Sequence, residues 1–266
     1  MLDPISVISF DLIDEYFKDT CITERKWISY MKSNYNNISF LTNNIKIIKI
    51  KKGPKTNMSN YKITSDLSKK SIIENNNNII FIIFNICRYS KNVCHANLLI
   101  IDKYKNEIYR FEPHGSESHY YVSKLIDSKI KKIMCPDFKY IGPANYQDIS
   151  GPQDISENIE NFEPIFSGFW LAWSLRFAHL IILYQDYDEN IDVLNTYKIL
   201  CSDKKGSLLS QIMAYTTFLM SLHNKKRQIT GRKRSLENFD KLYRNWYQRY
   251  SEILLNSSGG KSLNVL

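Results

Sequence analysis

The chain has 266 residues, 43% of them hydrophobic, which supports a packed core and excludes global disorder. Its net charge at neutral pH is +9, much of it in segments rich in asparagine, isoleucine and lysine. No run of 18 apolar residues occurs, and the N-terminus lacks the basic and apolar regions of a secretory signal. These features exclude a membrane span and predict an intracellular protein.

The cysteines are five in number, and no two of them form a Cys-x-x-Cys pair. An odd number without paired spacing argues against a disulfide framework and against a zinc finger. We therefore expect mostly buried free thiols, no metal and no cofactor. The positions are Cys21, Cys87, Cys94, Cys135 and Cys201.

The N-terminal part predicts helix followed by loops. Residues 1–35 carry apolar side chains at helical spacing, clearest over residues 9–17. The polar stretch 51–78 contains Gly53-Pro54 and four consecutive asparagines, which are typical of loops around one short helix, over residues 64–74.

The centre of the chain predicts three strands. Residues 79–84 are apolar enough for a strand buried on both faces. Residues 95–102 and 107–112 are separated by the short polar turn 103–106, so they predict an antiparallel hairpin. A helix over residues 118–128 and a short strand over 130–134 are expected next.

The C-terminal half predicts mainly helices. Residues 135–166 form a long segment with little pattern and four prolines, a type of loop that is often functional. Residues 167–184 are apolar almost all round and predict a core helix. Further helices are expected near residues 190–201, 206–223 and 235–255.

A histidine and an acid stand at neighbouring ends of the predicted hairpin. His95 opens one strand and Glu112 closes the next. Because antiparallel strands run in opposite directions, these two ends lie side by side. An imidazole beside a carboxylate can serve as the base and its orienting acid in nucleophilic catalysis, although a structural histidine beside a glutamate is the alternative.

Three motifs around this pair occur in a recognisable order. Arg110-Phe111-Glu112-Pro113-His114-Gly115 is followed by Gly151-Pro152-Gln153 and then by Ser167-Gly168-Phe169-Trp170 at a helix start. The order resembles the adenovirus-protease and SUMO-peptidase superfamily of papain-like cysteine peptidases, and peptidase-like proteins of large DNA viruses. The resemblance covers about residues 79–185.

The resemblance implies an α+β, papain-like fold with a central, mostly antiparallel sheet flanked by helices, plus extra N- and C-terminal helices. One domain over residues 1–266 is expected, with a peptidase-like core over 79–185 and a helical extension over 186–258. It also implies that His95 is the general base, Glu112 its acidic partner and Gln153 the oxyanion-hole residue, with Gln147 as the alternative.

The position of the nucleophile departs from the family pattern. Depending on the alignment it falls on Ser167 or on Trp170, and neither is cysteine. A helix N-terminus favours a thiolate, whereas a serine hydroxyl gains little there and a tryptophan cannot act as nucleophile. The sequence therefore predicts an inactive domain that binds a protein or peptide, with a ubiquitin-like C-terminus or a viral polyprotein as the expected partner classes.

Two other functions remain open from the sequence. One is a working hydrolase that uses Ser167, or an unaligned cysteine such as Cys135, as nucleophile. The other is a basic virion or nucleic-acid-associated protein that binds through the segment from Lys225 to Arg234, which could also direct the chain to the nucleus. His114 and His119 are interpreted as exposed histidines of a turn, not as metal ligands.

Overall fold

The computed structural model describes residues 20–36, 38–49, 61–65, 67–88, 94–117, 123–134, 137–157, 169–185 and 192–201, with eight further residues between 208 and 222. The chain divides into two compact units. One comprises residues 24–212, and the other comprises residues 1–23 and 213–266. The predicted boundaries at residues 79, 185 and 258 stay predictions.

The larger unit is an α+β structure with six strands in one mixed sheet. The strands are β1 (Ile38–Lys49), β2 (Tyr61–Ser65), β3 (Ile79–Arg88), β4 (Cys94–Asp102), β5 (Glu107–Phe111) and β6 (Lys139–Ile141). They lie in the order β2-β1-β3-β4-β5-β6. The pairs β1–β3 and β5–β6 are parallel, and the other three pairs are antiparallel.

Six α-helices are described, all short to medium in length. They are α1 (Thr20–Asn34), α2 (Lys69–Ile73), α3 (Ser123–Met134), α4 (Pro152–Glu157), α5 (Trp170–Gln185) and α6 (Val193–Cys201). The eight described residues between 208 and 222 are also helical, in agreement with the helix predicted there. Residues 9–17 and the helix predicted over 235–255 lie outside the described residues. Among the helices that are described, none combines the length and the apolar character needed to span a bilayer.

The predicted hairpin is confirmed. Strand β4 pairs with β5 in antiparallel register, with Asp102 opposite Glu107. Asn106 adopts a φ of 52° in the turn, the left-handed conformation that asparagine tolerates well. The hairpin therefore fixes which ends of the two strands are neighbours.

Three predictions of local structure are wrong. Residues 130–134 are not a strand but the end of helix α3, whose buried Ile126, Ile130 and Met134 recur every four residues and pack onto the sheet. The stretch 51–78 includes strand β2 as well as the short helix α2. The segment 135–166 includes strand β6 and helix α4 instead of a continuous loop.

Strand β1 was not predicted from the sequence. Its residues mix isoleucine with asparagine and lysine, which hides a two-residue alternation. It pairs with the apolar strand β3 over ten consecutive positions. Tertiary pairing, more than local propensity, thus makes this segment a strand.

The two faces of the sheet carry different residues. Ile86 and Phe84 of β3 stand opposite His95 and Asn97 of β4, on the face that packs against α3. The other face meets α5, where Phe111 and Phe177 stack with ring centroids 4.3 Å apart. His95 thus lies on the α3 face, at the end of the sheet.

Helix α1 carries a buried carboxyl group. Glu24 is 4% exposed, and its Oε2 accepts a hydrogen bond of 3.4 Å from Asn85 Nδ2 on strand β3. Burial raises the pKa of Glu24 to about 7, although Asn85 and Arg25 oppose the change. The carboxyl group is consequently more stable in its neutral form within the folded protein than in the unfolded chain.

Glu24→Gln is expected to remove this pH sensitivity. Because the folded pKa lies above the unfolded value of 4.5, the stabilisation is complete below pH 4.5 and is lost as the pH rises through 7. The variant should therefore gain up to about 3 kcal/mol over the wild type near pH 9 and little near pH 4. Urea unfolding at both pH values measures this, with the exposed Glu74→Gln as control. An equal effect of the variant at both pH values would contradict the prediction.

Candidate active site

His95 and Glu112 meet at the sheet end, as the hairpin predicts. His95 Nε2 lies 2.5 Å from Glu112 Oε1, and both side chains are at least 99% buried. Glu112 follows β5 directly, and His95 is the second residue of β4. The contact is a hydrogen bond across neighbouring strands, and it orients the imidazole.

The Glu112 carboxylate is held by four donors. Its Oε1 accepts the His95 contact and the His114 backbone N–H at 3.3 Å. Its Oε2 accepts Asn97 Nδ2 at 2.9 Å and Arg110 Nη1 at 3.5 Å. Burial alone would raise the pKa of Glu112, but His95 and Arg110 outweigh it and hold the pKa at about 2. The carboxylate is therefore ionised at neutral pH.

Arg110 supports Glu112 from behind. Its Nη1 also donates to Asn97 Oδ1 at 2.6 Å, and its Nε donates to Asp127 Oδ1 of helix α3 at 2.8 Å. Burial opposes the charge of the guanidinium, yet Tyr140, Asp127 and Glu112 raise its pKa above the ordinary value. The network links β4, β5 and α3, so it fixes the acid in one position.

The surroundings of His95 favour the neutral form of its imidazole. Burial is the largest influence and lowers its pKa, although Glu112 acts in the opposite direction. In the neutral ring, the proton that faces the carboxylate resides on Nε2. The lone pair is then on Nδ1, the nitrogen that would accept a proton from a nucleophile.

A second histidine and acid lie against the first pair. The rings of His114 and His95 stack with centroids 5.0 Å apart and an interplanar angle of 28°. His114 Nδ1 lies 2.5 Å from Asp154 Oδ1 of helix α4. The interpretation of His114 as an exposed turn residue is wrong, because its side chain is only 11% exposed and belongs to this cluster. His119 lies outside the described residues.

The two candidate oxyanion residues have different surroundings. Gln147 is engaged with the backbone of Glu112: its Oε1 accepts the Glu112 N–H at 2.9 Å, and its Nε2 donates to the Glu112 carbonyl at 3.1 Å. Gln153 is the second residue of helix α4, is 1% exposed, and its backbone N–H donates to the Pro113 carbonyl at 3.0 Å. Gln147 thus holds the acid in place, and Gln153 stays the candidate for the oxyanion hole.

The start of helix α5 lies beside the imidazole. Trp170 is the first residue of the helix, and its ring centroid is 6.1 Å from that of His95, with the planes tilted by 60°. One turn later, Ser174 Oγ donates to the carbonyl of Ala96 at 3.3 Å, which docks the helix on β4 next to His95. Ser167 lies outside the described residues, as do Cys135 and the basic segment from Lys225 to Arg234.

Several members of this cluster were not predicted as site residues. Asn97, Arg110, Asp127 and Asp154 complete the cluster, and of these only Arg110 lies in one of the motifs quoted above, where no role was assigned to it. The two-residue period of strands does place Asn97 on the face of His95, and Arg110 on the face of Glu112. Asp127 and Asp154 come from elements whose docking no local pattern reveals. In the described residues no group of three His, Cys, Asp or Glu side chains is arranged for a metal ion.

Comparisons with known proteins give remote similarity only. No protein family and no curated protein matches the chain. Among solved structures, the Legionella pneumophila effector protein RavZ is 15% identical, covering 66% of this chain and 51% of that one, with a TM-score of 0.30. AvrA delL154, solved with IP6 and CoA, is 11% identical, covering 80% and 82%, with a TM-score of 0.32. This chain spans about half the length of RavZ. TM-scores this low do not define a shared fold or activity.

Proposed function

We propose that the chain is a papain-like cysteine-peptidase domain that has kept its base and acid, has lost its nucleophile, and binds a protein or peptide tail without cutting it. The single observation that carries the proposal is the Trp170 indole beside the His95 imidazole at the start of α5. The His95–Glu112 pair supplies the remaining half of the site.

The base and acid retain the properties that catalysis would need. A neutral imidazole whose Nε2–H is directed to an ionised Glu112 presents Nδ1 as proton acceptor. The acid is held by Asn97 and Arg110, so its orientation does not depend on a ligand. Such an arrangement exceeds what a histidine needs for packing alone.

The helix start lacks the group that would attack a substrate. The free N–H groups of a helix N-terminus lower the pKa of a cysteine and stabilise its thiolate. Trp170 occupies this position, and an indole has no nucleophilic sulfur or oxygen. We infer that no side chain at this position can donate a proton to His95 and then attack a substrate.

The proposed ligand is an extended peptide tail. The indole of Trp170 is half-buried and lies beside His95, which stacks on His114. Three aromatic rings are therefore in contact at the start of α5. A chain end with small side chains can pack closely against such surfaces, and the C-terminus of a ubiquitin-like protein has this character. Its binding without cleavage is the activity we propose.

Turnover and binding assays test the proposal directly. The wild type and His95→Ala should both leave coumarin amides of peptides and of ubiquitin-like proteins uncleaved, and a fluorophosphonate should label neither. The wild type should bind the uncleaved tail in a titration, and a bulk-reducing Trp170→Ala should weaken that binding. Hydrolysis that disappears in His95→Ala, or single labelling at Ser167, would identify a working hydrolase instead.

Trp170→Cys is expected to create a thiol that His95 activates. At about pH 6 it should react with iodoacetamide roughly tenfold or more faster than Trp170→Cys combined with His95→Ala, because an adjacent imidazole favours the thiolate. Peptide mapping by mass spectrometry separates this site from the five native cysteines. Ser167→Cys is the matched variant. If only Ser167→Cys shows the dependence on His95, residue 167 is the nucleophile position.

A further inference from the structure

Helix α3 presents a basic face that the peptidase-like site does not use. Four lysines occur among its twelve residues, and Asp127 is its only acid. The side chains that point away from the core are Lys124, Leu125, Ser128, Lys129, Lys131 and Lys132. We call these six residues the α3 surface. Buried Ile126, Ile130 and Met134 form the opposite side of the helix.

The lysines of the α3 surface are grouped on one helix, whereas three other lysines of the same unit lie against carboxylates. Lys69 and Lys139 form ion pairs with Asp137 and Glu107, and Lys105 lies near Asp102. Within the described part of the chain, no lysine of helix α3 has a carboxylate within ion-pair distance. Positive charge is therefore concentrated on the α3 surface without local compensation.

The acid of helix α3 is not available to offset these charges. Asp127 accepts Arg110 Nε at 2.8 Å and the Tyr140 hydroxyl at 2.5 Å. The aromatic ring of Tyr140 also lies 5.6 Å from Lys131 Nζ, a contact that leaves the charge of the lysine intact. The hydrogen bonds from Arg110 and Tyr140 thus neutralise Asp127 inside the protein, while the α3 surface stays cationic.

We propose that the α3 surface binds the phosphate backbone of a nucleic acid, without reading its sequence. A duplex carries one negative charge per about 1.7 Å of its axis, so a helix about 18 Å long can meet several phosphates. Net charge of +9 steers a polyanion to the molecule. Leu125 is the one large apolar residue on the surface, which is too little apolar area to insert into a membrane. This inference is independent of the peptidase-like site.

Fluorescence anisotropy with a labelled duplex of about 20 base pairs tests this binding between about 50 and 200 mM salt. The combined variant Lys124→Gln, Lys131→Gln and Lys132→Gln should make the negative slope of log K against log salt shallower by about 3 and weaken binding roughly tenfold near 100 mM. A variant with arginine at the same three positions should retain binding, because arginine keeps the charge.

A matched variant controls for the loss of overall charge. Lys26→Gln, Lys32→Gln and Lys198→Gln also removes three exposed positive charges, from helices α1 and α6. It should weaken binding less than about threefold. Equal weakening by both variants, no wild-type binding at low salt, or tighter binding to phosphatidylserine vesicles than to the duplex would overturn the proposal. All substituted side chains are exposed, and circular dichroism confirms that each variant is folded.

Discussion

Arg110→Met is expected to lower the free energy of unfolding by about 4 kcal/mol. Arg110 is fully buried and donates to Asn97, Asp127 and Glu112. Methionine fills a similar volume but leaves two carboxylates without their cation, and an uncompensated buried charge is costly. Urea unfolding near pH 7 measures the loss.

Two variants make the Arg110 experiment decisive. Arg110→Lys keeps the charge but not the planar fork, so about half of the loss should return. Lys26→Met replaces an exposed cation and should change stability by no more than about 0.5 kcal/mol. Should Arg110→Met cost less than about 1 kcal/mol, the network would not be the element that holds Glu112.

Gly115→Ala is expected to destabilise the protein by about 4 kcal/mol and to disturb the His114 region. Gly115 has a φ of +97°, which alanine rarely adopts. A Cβ atom there would lie 2.4 Å from both the backbone N of Gly151 and the carbonyl O of Ile149. Backbone atoms cannot move aside as a flexible side chain can. The cost of the positive φ and the cost of the steric overlap therefore add to the loss of stability.

The backbone around Gly115 is crowded because residues 114–116 and 148–151 are hydrogen-bonded to each other. Ser116 N–H donates to the Asp148 carbonyl at 2.8 Å, and Gly151 N–H donates to the His114 carbonyl at 2.8 Å. Gly142→Ala is the matched control, since a Cβ there would meet side-chain atoms at 3.1 and 3.2 Å with a negative φ. Thermal or urea unfolding compares the two variants. If Gly115→Ala lost as little stability as Gly142→Ala, the backbone around Gly115 would be able to move and accommodate a Cβ atom.

The sequence was sufficient for the hairpin and for the pair at its end. Alternation and a short polar turn placed His95 beside Glu112, and the 2.5 Å contact confirms the placement. The apolar strand β3 and the core helix α5 were also recognisable, because both are apolar on nearly all sides. The catalytic roles of these residues stay predictions.

The predictions from sequence were wrong where a short segment could form either a helix or a strand, or where a contact joins distant residues. Residues 130–134 have β-branched side chains and predict a strand, yet they extend helix α3 because Ile126, Ile130 and Met134 bury one face together. Strand β1 was missed because its asparagines and lysines lower its apparent β propensity. His114 was misjudged because nothing in its own motif reveals Asp154, forty residues later.

By itself, the sequence determined the α+β class, the two hairpin strands and the absence of a cysteine at the start of α5, since each depends on residue identity or on short-range periodicity. Only the tertiary structure decided that Gln147 holds the backbone of Glu112, that His114 stacks on His95, and that Trp170 lies against the imidazole. Those contacts join residues distant in the chain, and their geometry follows from how helices and loops pack against the sheet.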